Sequence, residues 1–125
     1  MSEIDELIAL ANKNNDFSEL RARMLNRIEF GTAGLRAKMC AGFGRMNDLV
    51  IIQTTQGLAA YLLELHSKHA ENTQPPLVVV GFDIRHNSQR FALCIDVSTC
   101  AMLSTLFPFS CLRHMNFRIF VLAVC

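Results

Sequence analysis

The sequence predicts an α/β fold with a mixed sheet flanked by helices. The prediction rests on the order of strand-like and helix-like segments along the chain. A short strand at 28–30 is followed by a long segment, 49–69, whose apolar residues recur at helical spacing. Residues 77–82 then form a continuous β-branched run, typical of a strand that is buried on both faces. A further helix begins near Ser88, so strands and helices alternate.

The composition excludes several classes of function. Lys and Arg number 12 against 11 Asp and Glu, and a net charge of +1 excludes a charge-driven nucleic-acid interface. The apolar run 99–112 is shorter than the roughly 20 residues that span a membrane, and it contains Pro108. The first six residues are acidic and do not resemble a secretory signal. We therefore expect no nucleic-acid partner, no membrane association and a cytoplasmic location.

The five cysteines show no even, regularly spaced framework, so we expect reduced thiols. A zinc set could be drawn from Cys94, Cys100, Cys111 and His114, but their spacing lacks a closely paired CxxC. We expect no metal site in this chain.

Residues 1–26 predict two short helices that serve as packing elements. Ser2 with the acidic residues after it is typical of a helix start, and residues 12–15 form a polar break. Asp16 and Glu19 predict a second capping box.

The middle of the chain predicts a loop followed by the long helix. Residues 40–47 contain Gly42 and Gly44 and indicate the loop, and Asn47 or Asp48 is expected to cap the helix. Residues 71–76 are a polar connection that contains two prolines. The expected core residues of the helix are Leu49, Ile52, Ala59, Leu62, Leu63 and His66.

Several side chains near the ends of the predicted strands could bind an anion, since arginine donates a bidentate pair of hydrogen bonds to phosphate and a hydroxyl adds a donor. Other interpretations remain open. Gly31 and Gly34 are equally typical of a tight turn, an Asp83–Arg85 pair is more often structural, and His86 alone is more often a surface histidine. The candidates are Thr32, Arg36, Arg45, Arg85, His86 and Ser88.

Four ordered blocks within 16–93 resemble the α-D-phosphohexomutase family. The first, 27–37, reads RIEFGTAGLRA, and its FGTAGLR form is similar to the branch that contains phosphopentomutase and glucose-1,6-bisphosphate synthase. The others are GRMN at 44–47, IIQTTQG at 51–57 and VVGFDIRHNS at 79–88, followed by RFA at 90–92.

The resemblance implies that 27–93 is an incomplete first domain of a four-domain phosphohexomutase. Such enzymes move a phosphoryl group between two positions of a sugar phosphate through a phosphoserine, with magnesium as cofactor. By the same resemblance, Arg36 contacts phosphate, Thr32 shapes the same cleft, and Arg85 and His86 support it.

The sequence also departs from the family. The Thr-Ala-Ser-His-Asn-Pro phosphoserine loop and the Asp-Gly-Asp-Gly-Asp magnesium loop do not occur in these 125 residues, so we expect no catalytic residue, no bound cofactor and no activity of the chain alone. The alternative function is a non-catalytic module that binds a phosphosugar or a protein.

Residues 94–125 diverge from the family. We interpret 94–111 as a translated intron or mis-joined exon, and the alternative is a real terminal helix and strand. Apolar surface over 106–124 would favour aggregation or chaperone binding.

Overall fold

A computed structural model describes residues 2–32, 34–68, 78 and 80–104. These residues belong to two compact units, one within Met1–Val50 and the other within Ile51–Ala123. In chain order they form two helices, a two-stranded antiparallel sheet and two further helices. The α/β fold class is therefore confirmed, with a small hairpin as the described sheet.

Helix α1 spans Glu3–Asn14 and begins as predicted. The Ser2 hydroxyl accepts from the backbone N–H of Asp5, whose carboxylate accepts from the backbone N–H of Ser2. The helix runs through most of the predicted polar break and ends at Asn15, which takes a left-handed conformation with φ 51°. Asparagine tolerates that conformation better than most residues, which is why the helix can end here.

Helix α2 spans Ser18–Met24, and the capping box predicted for it is wrong. Its cap position is Phe17, which makes no side-chain cap. Asp16 instead accepts from the backbone N–H of Ser18 at 2.9 Å. Glu19 points elsewhere because two arginines, Arg23 and Arg45, bind its carboxylate.

Strands β1 (Phe30–Gly31) and β2 (Gly34–Leu35) form an antiparallel hairpin in which Phe30 pairs with Leu35 and Gly31 with Gly34. The strand predicted at 28–30 therefore begins later, at Phe30, and pairs with the next strand along the chain. Gly34 has φ 90°, which favours glycine. The tight-turn interpretation of the two glycines is confirmed.

Helix α3 spans Asp48–Lys68, close to the predicted bounds, and residues 40–47 before it form the predicted loop. Ala59 is buried as expected, but Leu49 is 50% exposed, and its assignment to the core is wrong. The buried positions are Val50, Ile51, Thr55 and Ala59. The last three recur every four residues and form a stripe on a different side of the helix from Leu49. Leu49, Val50, Ile51 and Ile52 are all apolar, so sequence alone does not show which side is buried.

Helix α4 spans Ser88–Ser104 and runs without a break past residue 93. It buries Phe91, Ala92 and Ile95 together with Ser98 and Thr99. The strand predicted at 77–82 is not found at its described residues, Val78 and 80–82. A strand needs a partner for its backbone hydrogen bonds, and the sheet formed by the described residues consists of β1 and β2 alone.

Some predictions lie outside the described residues. They are the polar connection at 71–76, the aberrant or divergent segment beyond 104, the apolar surface at 106–124, and Cys111 and His114 of the zinc set. Within the described part of the chain, no helix combines the length and apolar character needed to cross a membrane.

Candidate functional site

The first candidate segment is the β1–β2 hairpin, which carries two of the predicted phosphate ligands. Thr32 lies in its two-residue turn and Arg36 follows β2 directly, and both side chains are exposed. Among the described residues, the Arg36 guanidinium has no hydrogen-bond or ion-pair partner. An exposed guanidinium without a partner can offer both of its donor edges to an anion.

The second candidate segment is the turn Asp83–Ser88, which carries Arg85 and His86. Arg85 donates to the Asp83 carboxylate through its backbone N–H at 2.9 Å, through Nε at 2.7 Å and through Nη2. The structural interpretation of this Asp-x-Arg pair is confirmed. The His86 side chain is exposed.

The Arg85 side chain holds the pKa of the Asp83 carboxyl at about 2, well below its usual 3.8, and the Arg85 backbone N–H contributes. Asp83 is therefore ionised at neutral pH and neutralises much of the Arg85 charge. A phosphate at Arg85 would have to compete with this carboxylate, whereas Arg36 has no such competitor among the described residues.

Ser88 has a structural role in the same turn. Its side chain is 1% exposed, and its hydroxyl accepts from the backbone N–H of Asp83 at 3.1 Å. Its backbone N–H donates to the Arg85 carbonyl at 3.1 Å. The hydroxyl thus closes the turn at the start of α4.

Arg45, another anion candidate, is held by protein groups. Its Nη2 contacts both carboxylate oxygens of Glu19 at 3.2 and 3.3 Å, and Nη1 donates to the Gly44 carbonyl. Its Nε is buried without a hydrogen-bond partner among the described residues. Arg45 therefore belongs to the packing of the loop at 40–47.

The four predicted site residues divide between the two compact units. Thr32 and Arg36 belong to the first unit, and Arg85 and His86 belong to the second. Their assignment to one phosphate cleft stays a prediction.

The described residues do not form a site that would fit magnesium. In the described part of the chain, no group of three or more His, Cys, Asp or Glu side chains is placed to hold a metal ion. Glu3, Glu19 and Asp83 each accept hydrogen bonds from arginine, which leaves them poorly placed as metal ligands.

A family model described as phosphoglucomutase/phosphomannomutase, alpha/beta/alpha domain I, matches residues 27–97, which include the hairpin, the turn and the start of α4. The chain belongs to this family.

Among its relatives is the phosphoribomutase of Saccharomyces cerevisiae, 48% identical over 89 residues, which are 71% of this chain and 13% of that protein. The phosphopentomutase of Mus musculus is 47% identical over 71% of this chain and 14% of its own length. The glucose 1,6-bisphosphate synthase of Mus musculus is 45% identical over 58% of this chain and 11% of its own.

These relatives agree with the family branch that the FGTAGLR segment indicates. The chain spans about one seventh of the length of the mutases it matches. No solved structure is significantly similar to it.

Proposed function

We propose that this chain supplies part of the phosphate-contacting surface of a cytoplasmic sugar-phosphate mutase, with Arg36 as its main phosphate ligand. The observation that carries the proposal is the exposed guanidinium of Arg36, which has no partner among the described residues and directly follows the hairpin within the family match. Thr32 lies in the turn of the same hairpin and adds a hydroxyl donor.

Arg85 and His86 have a supporting role in this proposal. The Arg85 side chain remains 39% exposed beside Asp83, so it can still attract a phosphate electrostatically, with less net charge than Arg36 offers. His86 lies next to it in an exposed turn and can donate a further hydrogen bond.

The chain alone is proposed to be inactive. A phosphoryl relay through a phosphoserine needs that serine as its covalent carrier, and these 125 residues contain no Thr-Ala-Ser-His-Asn-Pro loop. Purified chain should show no mutase turnover above buffer with ribose 1-phosphate or glucose 1-phosphate, magnesium and a sugar 1,6-bisphosphate primer. The yeast phosphoribomutase is the positive control. Robust, magnesium-dependent turnover by the chain would contradict the proposal.

A second candidate function is a non-catalytic module that binds a phosphosugar. The same exposed Arg36 favours it, because phosphate recognition requires only the hairpin and no covalent step. Binding of a sugar phosphate by a chain that shows no turnover would support this function. A chain that shows neither binding nor turnover would exclude it.

A further inference from the structure

The loop at 40–47 holds both ends of the hairpin that carries Thr32 and Arg36. On the entry side, the backbone N–H of Ile28 donates to the Phe43 carbonyl at 3.2 Å, and the Arg27 guanidinium lies 5.9 Å from the centre of the Phe43 ring. On the exit side, the backbone N–H of Met46 donates to the Lys38 carbonyl at 3.0 Å. The hairpin geometry therefore depends on where this loop sits.

Helices α1 and α2 hold the loop in turn, through ionic contacts. Glu3 in α1 accepts from Arg23 in α2 at 2.5 Å and from the backbone N–H of Ala41 in the loop at 3.0 Å. Glu19 in α2 accepts from Arg23 at 2.8 Å and from Arg45 in the loop. Two carboxylates and two arginines thus connect both helices to the loop.

Close backbone packing accompanies these ion pairs. The backbone N–H of Gly44 donates to the Arg23 carbonyl at 2.9 Å. A Cβ added at Gly42 would lie 2.7 Å from the same carbonyl oxygen, and one at Gly44 would lie 2.6 Å from the Ala22 carbonyl oxygen. The loop backbone therefore lies directly against α2, and only glycine fits at these two positions.

We propose that Glu3 and Glu19 are positioning residues for the hairpin, acting through the loop at 40–47. Both lie in the segment before residue 27, which the match to the family domain does not include. Their relevance to phosphate binding rests on the function proposed for Arg36. Their effect on hairpin geometry is independent of that function. The positioning role and the phosphate-binding function can therefore fail separately.

The direct test is amide hydrogen exchange of the full chain, without phosphate, followed by mass spectrometry. Glu3→Ala should speed exchange in peptides covering 27–38 and 39–47 by about three- to tenfold, because it removes the ionic contact to Arg23 and the acceptor for Ala41. Glu6→Ala is the matched control, since Glu6 lies in the same first helical turn and is exposed. Equal exchange over 27–47 in the two variants would overturn the proposal.

A milder variant and a pH profile distinguish positioning from general loss of structure. Faster exchange in α4 of Glu3→Ala would indicate a general loss of structure. In that case Glu3→Gln, which keeps an acceptor for Ala41 but removes the charge, replaces it in the comparison with Glu6→Ala over 27–47. The hydrogen bond from Ala41, followed by that from Arg23, lowers the pKa of Glu3 below its usual 4.5, and Lys38 contributes. The difference between wild type and Glu3→Gln should therefore persist at pH 4.5 and disappear as the pH falls through the lowered pKa of Glu3. A difference that does not change with pH would overturn the ionic mechanism.

Discussion

At the scale of single residues, two arginines with the same predicted role have different surroundings. Arg36 is exposed without a partner among the described residues, whereas Arg85 donates three hydrogen bonds to Asp83. A guanidinium that already binds a carboxylate has less charge and fewer donors left for a phosphate. Arg36 is therefore the stronger candidate ligand.

The sequence could identify both arginines but could distinguish them only in part. The Asp83–Arg85 spacing favours a structural pair, and the pair is confirmed because the two residues lie two positions apart in one turn. The sequence could not show whether the Arg36 guanidinium has a hydrogen-bond or ion-pair partner, because such a partner could come from any distant segment. Ser88 was also indistinguishable in sequence from an anion-binding serine, since its burial depends on the packing of α4.

A carboxyl titration tests the pairing of Asp83 with Arg85. The pKa of Asp83 is lowered to about 2 when folded, so the pair stabilises the fold fully above pH 3.8 and is lost as the pH falls towards 2. In Arg85→Ala the pKa of Asp83 should rise back towards 3.8, as followed by carboxyl ¹³C NMR. Asp5, whose pKa is lowered mainly by the Ser2 backbone N–H, is the internal control and should not change. An unchanged pKa of Asp83 would show that Arg85 is not its partner in solution.

At the scale of elements, local signals predicted the helices well. The capping box at Ser2, the start of α3 near Asp48 and the start of α4 at Ser88 are all set by residues within a few positions of each other. Prediction from local signals fails where a contact with a residue distant in sequence determines the structure. Glu19 does not cap α2 because Arg23 and also Arg45, 26 residues away, bind its carboxylate. Residues 77–82 need a partner strand that their own sequence does not supply.

Two glycine substitutions test the packing of the loop against α2. Gly44→Ala should lower the free energy of unfolding by about 1–3 kcal/mol, because its Cβ would lie 2.6 Å from a backbone oxygen of α2. Gly57→Ala is the matched control in α3, where no atom lies within 4 Å of the new Cβ. It should raise the free energy of unfolding by about 1 kcal/mol through helix propensity alone. Circular dichroism during urea unfolding measures both, and equal effects would contradict the described loop packing.

At the scale of the whole molecule, the contacts that join elements lie far apart in sequence. Glu3 contacts Arg23 across 20 residues and Ala41 across 38. No local pattern predicts such pairs, so the sequence of residues 1–26 predicts only two packing helices. The family domain could be predicted because the FGTAGLR and GFDIRHNS segments are specific in order as well as in composition.

Exposed apolar side chains lead us to expect self-association. Leu93 and Val97 lie one turn apart on α4 and are 60% and 67% exposed. Replacing both with Gln should shift the chain towards monomer in size-exclusion chromatography with light scattering, and Asp96→Asn, which lies between them in sequence, should not. A wild-type chain that is a monodisperse monomer with a sharp, cooperative melt would contradict this expectation.

The most direct test of the proposed phosphate site is a titration of the ¹⁵N-labelled chain with inorganic phosphate, below the concentration at which it associates. We predict amide shifts at Gly34 and Arg36 with a dissociation constant of about 1 mM or weaker, because exposed charges contribute only about 1 kcal/mol each. Arg36→Ala should abolish the shifts, whereas Arg21→Ala, an exposed arginine of α2, should leave them intact. Shifts that survive in Arg36→Ala, or an absence of shifts at Gly34 in the wild-type chain, would contradict the assignment of this hairpin to phosphate.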